Sequence, residues 1–324
     1  MARMDDNSEH NQLVNIARLY YIRKMTHQRI ASKLGLSRVK ATRLLKEAVD
    51  KEIVQFKIQG PIGQTFELEE HLEHKLGLSR AIVVPAVDSE AEIYNALGAH
   101  GADYLLKELR GNMTIGLCWG RTLNAMMAHL KPSTKKHLNV VSFTGCLAAN
   151  SRQPNPYDIT SAVVERLGAT PHYLVVPAIV ESAQVRDPVL QEPSAQKVIR
   201  WWNKIDMCMM SIGIISKHTG AFYSLEDPAL QVKRTKQMGG VGDMVARPFN
   251  IDGEFLRTEF SERTITIDTE RLRKIPHLIG IAGGRQKARS ILGALRTGVI
   301  NVLITDETCA RKILELAGGT GNCQ

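Results

Sequence analysis

The chain has 324 residues and a formal charge of +9, room enough for one small domain and one with an ample core. No apolar run approaches the ~20 residues of a membrane span. The first residues, with Asp5, Asp6 and Glu9, carry no signal-peptide stretch, so a cytoplasmic protein is expected.

The charge is unevenly spread. Residues 1–59 hold 12 Lys or Arg and 6 Asp or Glu, a surplus of +6, and the rest of the chain carries only +3. A short basic segment of this kind suits phosphate contacts. It lacks the broad aromatic or Leu-rich face of a membrane-surface anchor. The five cysteines, Cys118, Cys146, Cys208, Cys309 and Cys323, show neither CxxC nor Cys/His metal spacing, so free thiols and no metal or cofactor are expected.

In chain order, Leu13, Ile16, Ala17 and Tyr20 mark a first amphipathic helix. Ile30, Ala31 and Leu34 form the apolar stripe of a short second helix, which Gly35 ends. Leu36 plugs the turn and Ser37 is the N-cap of a third helix. There Ala41, Leu44, Leu45 and Ala48 recur at i, i+3, i+4, i+7 and face inward. Arg38, Val39, Lys40, Thr42 and Arg43 are left facing outward, a mixture suited to base edges and phosphates in a DNA major groove. Small Ala31 and Ala41 permit a close helix crossing. The bland alternative is a helical hairpin with a solvated charged face; the preceding helix and the basic surplus favour a helix-turn-helix. Glu52–Ile58 alternates and predicts a short strand, a candidate wing.

Gln59-Gly-Pro-Ile-Gly63 breaks the pattern, giving a DNA-binding domain over 1–59 and a second domain over 60–324. Phe66, Glu69, Leu72 and Leu76 predict a helix suited to pairing subunits. Apolar runs follow at 81–84, 113–117, 138–143, 172–176, 207–213, 278–282 and 299–304. Helical stretches lie at 90–109, 120–130, 157–167, 188–203, 285–297 and 306–317. Alternation of this kind predicts an α/β domain with a doubly wound, mostly parallel sheet.

In such a sheet, ligands sit where strand ends meet helix starts. Three segments qualify: Gly116–Thr122, Ala282–Ala288 with Lys287 a turn into its helix, and the glycine-rich turn Gly239–Asp243. The carboxylate of Asp243 suits sugar hydroxyls. Each segment also has a purely structural reading, since strand-to-helix turns often need glycine and Trp119 fits a core.

These motifs together resemble the SorC (DeoR-like) family of sugar-responsive bacterial regulators. The resemblance runs through MTHQRIASKLGLSRVKATRLLKEAVDKEIV, IGLCWGRTL, GGVGD and IAGGRQKARSILGALRTGVINVLITDE. It implies a domain related to sugar-phosphate isomerases and deaminases, oligomers (dimer or tetramer) on operator DNA, and a phosphorylated sugar or polyol as effector. It places a phosphate loop on Gly116, Trp119, Gly120, Arg121 and Thr122, an acidic sugar contact on Asp243, and a basic contact on Lys287 beside Gly283 and Gly284. The chain departs from the family's pattern in several places. Thr42 replaces a serine and Glu52 a glycine. Thr144-Gly145-Cys146 replaces a glycine pair, with Thr144 where some relatives carry a Schiff-base lysine, which argues against covalent capture. Phe249-Asn250-Ile-Asp-Gly253 replaces Phe-Asp-x-x-Gly.

An isomerase-like or deaminase-like enzyme is the rival from another class. Asp243 is the one carboxylate that the motifs place in the cleft, and fold analogy alone assigns no activity. A constitutive DNA-binding structural protein is the third reading.

Overall fold

The computed structural model describes residues 2–55, 65–147, 154–218, 222, 225 and 227–318. Internal contacts divide the chain into two compact units, Met1–Gly63 and Gln64–Gln324.

In the first unit, α1 (Ala2–Ala17) runs into a widened π-helical turn, Arg18–Ile22. Helices α2 (His27–Leu34) and α3 (Arg38–Asp50) follow. The Thr26 hydroxyl caps α2 by accepting from the Arg29 N–H. Gly35 turns left-handed at φ 64° and ends that helix. The Ser37 hydroxyl accepts from the Lys40 N–H at 3.1 Å and starts α3. Leu13, Ile16, Ala17, Leu19, Ile30, Ala31, Ala41, Leu44, Leu45 and Ala48 close one core, with Leu36 packed against it.

The strand expected at 52–58 does not form over its first residues, and residues 56–58 lie outside the described ones. Glu52 takes φ 55°, and the Val54 N–H returns to the Ala48 carbonyl at 3.1 Å. Ile53 and Val54 therefore pack on the helical core, and no alternating face is left for a sheet.

The second unit opens with α4 (Phe66–Leu76), β1 (Arg80–Val84), α5 (Glu90–Glu108), β2 (Thr114–Leu117), α6 (Arg121–Met127) and β3 (Asn139–Ser142). Next come α7 (Pro156–Leu167), β4 (Thr170–His172), α8 (Ala183–Gln191), α9 (Pro193–Trp202), β5 (Met207–Ser211) and β6 (Gly213–Ile214). The chain continues through α10 (Pro228–Gln237), β7 (Gly240–Met244), β8 (Arg247–Asn250), α11 (Glu259–Glu262) and α12 (Thr269–Lys274). It closes with β9 (His277–Ile281), α13 (Ala288–Arg296), β10 (Val302–Asp306) and α14 (Glu307–Gly318).

Seven parallel strands form the main sheet in the order β1-β10-β9-β5-β2-β3-β4. Strands β5 and β10 are buried almost throughout, with apolar side chains over Met207–Met210 and Val302–Ile304, as a sheet covered on both faces requires. After β2 the chain winds outward to β3 and β4; after β5 it winds the other way, to β9 and β10. The crevice between β2 and β5 is therefore the topological switch point.

Three sequence expectations shift. Gly239–Asp243 is not a free turn: β7 carries Gly240–Met244 within a second, antiparallel sheet β6-β7-β8. A side chain at Gly242 would meet the Ser290 hydroxyl at 2.0 Å, so glycine there serves close packing onto α13. The helix expected over 188–203 breaks at Glu192, because Pro193 has no N–H to continue the ladder. The fourth strand, Thr170–His172, takes in only the first residue of the expected run 172–176.

Helix α4 buries Leu68 and Leu72 in its own unit. Its Glu73 and Glu69 side chains accept from the Ala81 and Val83 N–H groups, each at 2.8 Å. This caps the otherwise open edge of β1. Its apolar face is thus committed within the chain, with Phe66 left 47% exposed.

Candidate functional site

On the first unit, Arg38, Lys40, Thr42 and Arg43 are all exposed along one face of α3. Val39, at 79% exposure, is an apolar group held among them. The Thr42 hydroxyl donates back to the Arg38 carbonyl at 3.0 Å. Ser37 holds its place as cap. Sequence reading missed the flank of this face. Tyr20 stacks on His27 with ring centroids 4.9 Å apart. A groove of about 720 Å³ runs from these rings past Lys24 and Gln28 to Arg38. Tyr20 carried a helical-stripe signal only, so nothing local marked it as part of a surface.

On the second unit, several strand ends deliver polar groups to the switch point. After β2, Gly120 takes φ 152°, and a side chain there would stand 2.1 Å from the Ser211 hydroxyl at the end of β5. Beyond β5, Ile212 leads into β6 of the second sheet, where Gly213 pairs with Asp243. A side chain at Gly213 would sit 2.2 Å from Asp243 Oδ1, so the glycine leaves room for that carboxylate. Lys287, between a 3-10 turn and α13, donates to the Ile212 carbonyl at 3.2 Å. It lies at the very start of α13, not a turn inside it.

Thr122 Oγ1, Ser211 Oγ and Asp243 Oδ1 are buried atoms without a hydrogen-bond partner. Buried polar atoms are normally paired, so this group of them makes the switch point the candidate site for a polar guest. Burial pushes the Asp243 carboxyl up to about 7, against the opposing pull of the Ala246 N–H and the Lys287 charge. Burial likewise pulls Lys287 down to about 8, helped by the neighbouring Arg121, while Cys309, Asp243 and Glu90 act the other way. The two-residue hairpin turn between β7 and β8 holds Val245 at φ 48° and Ala246 at φ 59°. Strain at Val245 is the cost of aiming that amide at Asp243.

The remaining sequence candidates divide. Arg121 lies at the rim, its guanidinium 4.7 Å from the Tyr94 ring centroid and 3.3 Å from Glu90. Gly116 is in mid-strand, packed against Ile205 and Phe143, and Trp119 belongs to the core. The Thr144 hydroxyl is spent on the Gly145 carbonyl at 2.8 Å. Gly145 in turn donates to Ile265 and fits against Pro177. Gly283 leaves space for the Asp306 carboxylate, and the Gly284 N–H donates to it. That amide is therefore already committed, and Asp306 is the residue shaping the loop. Ser211, Tyr94 and Glu90 were missed in the sequence, because only the strand order and the packing of α5 on α6 bring them beside the motif residues.

A helix-turn-helix unit with an exposed basic face, followed by a doubly wound unit with buried polar groups at its switch point, defines the class of ligand-responsive DNA-binding regulators. Residues 60–315 match the family described as "Putative sugar-binding domain". The chain is 30% identical over 321 residues to the sorbitol operon regulator of Klebsiella pneumoniae, covering 96% of this chain and 100% of that protein. It is 29% identical over 321 residues to the erythritol catabolism regulatory protein EryD of Brucella abortus, covering 98% and 100%. The crystal structure of full-length SorC from Klebsiella pneumoniae is similar, with a TM-score of 0.73 at 29% identity over 95% of this chain and 99% of that one. The chain belongs to the SorC family of sugar-binding transcriptional regulators. It is a DNA-binding regulator and not an enzyme. Among the described residues, no helix is long and apolar enough to cross a membrane.

Proposed function

We propose that the switch-point crevice binds a small polyol or sugar, in phosphorylated form, and that its occupancy controls how the first unit holds operator DNA. The observation that carries this is the convergence of buried, unpartnered Thr122, Ser211 and Asp243 oxygens beside Lys287. Asp243 accepts hydroxyls of the guest, and Lys287 and Arg121 face its anionic end. Two of the similar regulators are named for sorbitol and erythritol, both acyclic polyols, which supports a ligand of that size and polarity. Gly283 and Gly284 shape the loop that presents Lys287.

On the DNA side, Ser37, Arg38, Val39, Lys40, Thr42 and Arg43 form the reading face, with the basic side chains on base edges or phosphates and Val39 on an apolar edge such as a thymine methyl. We assign residues 1–59 to DNA binding and 60–324 to effector binding and assembly. One helix-turn-helix reads only a few base pairs, so the working species is a homo-oligomer on paired half-sites, acting in the cytoplasm.

A thermal-shift screen of sugars, polyols and their phosphates on the full chain tests the effector reading. A ligand at 100 times its Kd adds about 2.7 kcal/mol. The hit should also change operator affinity, since a ligand that favours neither state shifts nothing. A hit that stabilises an Asp243→Asn, Lys287→Met variant as strongly as the parent would place the effector elsewhere.

A further inference from the structure

Resting on that reading of the crevice, we infer that Glu90 gates its rim: the Glu90 carboxylate competes with an anionic effector for Arg121, and so sets the preference for phosphorylated over neutral polyols.

Tyr94 organises the rim. Its hydroxyl donates to Glu90 Oε1 at 2.5 Å, and the same oxygen lies 3.3 Å from Arg121 Nη1. The Arg121 guanidinium lies 4.7 Å from the ring centroid, and Lys287 Nζ lies 5.9 Å from it. One ring thus holds two cations close together. Glu90 contacts one of them directly, and Asp243, held up to about 7, offsets Lys287 only in part at neutral pH. The rim keeps a positive surplus.

A phosphate monoester brings a charge of about −1.5 to −2 at pH 7. It also accepts two parallel hydrogen bonds from a guanidinium. Glu90 already lies at Arg121 Nη1, so a phosphate that takes that nitrogen competes with the Glu90 carboxylate and is repelled by it while it stays. A neutral polyol makes no such demand. The displaced contact is a weak one, because the Glu90 and Arg121 side chains are 53% and 36% exposed. Glu90 is also dispensable for starting α5, which Ser89 and Glu92 secure with a capping box. Its influence therefore falls on selectivity more than on folding.

The test titrates full-length wild type, Glu90→Gln, Tyr94→Phe and Glu90→Gln/Arg121→Gln at one pH and ionic strength. The probes are inorganic phosphate and matched pairs of four- to six-carbon polyols with their terminal monophosphates. Glu90→Gln should bind the phosphates about threefold tighter or more, with the parent polyols changed less than about twofold. Tyr94→Phe, which loosens Glu90 but keeps the ring, should shift the ratio the same way by less. The double variant should lose the gain. Phosphate binding with an unchanged phosphate-to-polyol ratio in Glu90→Gln overturns the gate alone. Binding of neutral polyols only, by every variant, also overturns the gate and leaves the pocket. Binding of no probe by any of the proteins overturns both.

Discussion

The two candidate regions handle charge in opposite ways. On α3, Arg38, Lys40 and Arg43 stand in solvent, where water screens them. In the crevice, Asp243 and Lys287 are 4% and 8% exposed, and burial drives their protonation towards neutral pH. An exposed basic face gains affinity for any DNA through counterion release. A buried pair gains nothing until a guest replaces the lost hydration, so it can discriminate among small molecules. A regulator needs both: a broad electrostatic hold and a narrow chemical trigger.

The largest expected effect lies on the buried side. Asp243→Ala and Lys287→Ala should each weaken effector binding by roughly 1.5–3 kcal/mol, the worth of a charge-assisted hydrogen bond. Operator affinity without effector should stay at the parent value. Calorimetry and operator-release assays on the same preparations decide it. Parental effector affinity in both variants would dissolve the contrast between the regions, because Asp243 and Lys287 would then be ordinary core groups.

On the exposed side, Arg38→Ala or Arg43→Ala should cost about 1–3 kcal/mol if the arginine reads a base, or mainly lower the salt dependence if it holds a phosphate. The effector should bind these variants normally. Operator titrations at several salt concentrations tell the two cases apart; parental curves at every concentration for both would show that the reading face lies elsewhere.

Burial of Asp243 and Lys287 also sets a pH signature. Folding raises Asp243 from 3.8 to about 7, so between those values the folded chain holds a proton that the unfolded chain has lost. Stability then falls as pH rises through that window. Folding lowers Lys287 from 10.5 to about 8, so the unfolded chain holds the extra proton between 8 and 10.5, and stability rises there. Together these groups place a minimum in the second unit's stability near pH 7–8. Thermal unfolding across pH should show the acid-side slope reduced in Asp243→Asn, and a wild-type slope in that variant would contradict the raised carboxyl.

The same difference explains what the sequence revealed. The helix-turn-helix is local: the spacing of Ile30, Ala41, Leu44 and Ala48 and the caps at Gly35 and Ser37 write its geometry within twenty-five residues. The alternation of apolar runs and helices likewise announces a parallel sheet. The crevice is non-local. Asp243 and Lys287 stood out as motif residues, but Ser211 and Tyr94 lie in ordinary-looking segments and join them only through the strand order and the packing of α5 on α6. The β7–β8 hairpin was hidden because Gly240 and Gly242 carry the composition of a loop while serving as close-packed strand. The α8–α9 break was readable from Pro193, whose missing N–H outweighs the apolar periodicity across it.

The smallest expected effect concerns Glu52, where the first unit's chemistry departs from its geometry. The residue sits at φ 55°, a region that costs an L-residue roughly 1 kcal/mol and costs glycine almost nothing. The Glu52 N–H donates to the Val49 carbonyl at 2.9 Å, and the Val54 contact with Ala48 closes the turn, so the backbone is fixed by its surroundings and not by the side chain. Glu52→Gly should keep that turn and relieve the strain. Part of the gain returns to the unfolded chain, whose freedom glycine increases. The net is a stabilisation of a few tenths of a kcal/mol, and removal of one negative charge should also modestly strengthen DNA binding at low salt. Chemical denaturation of the first unit and operator titration at two salt concentrations measure both. A loss of stability above about 1 kcal/mol would show that the Glu52 side chain, and not the turn, holds the end of α3.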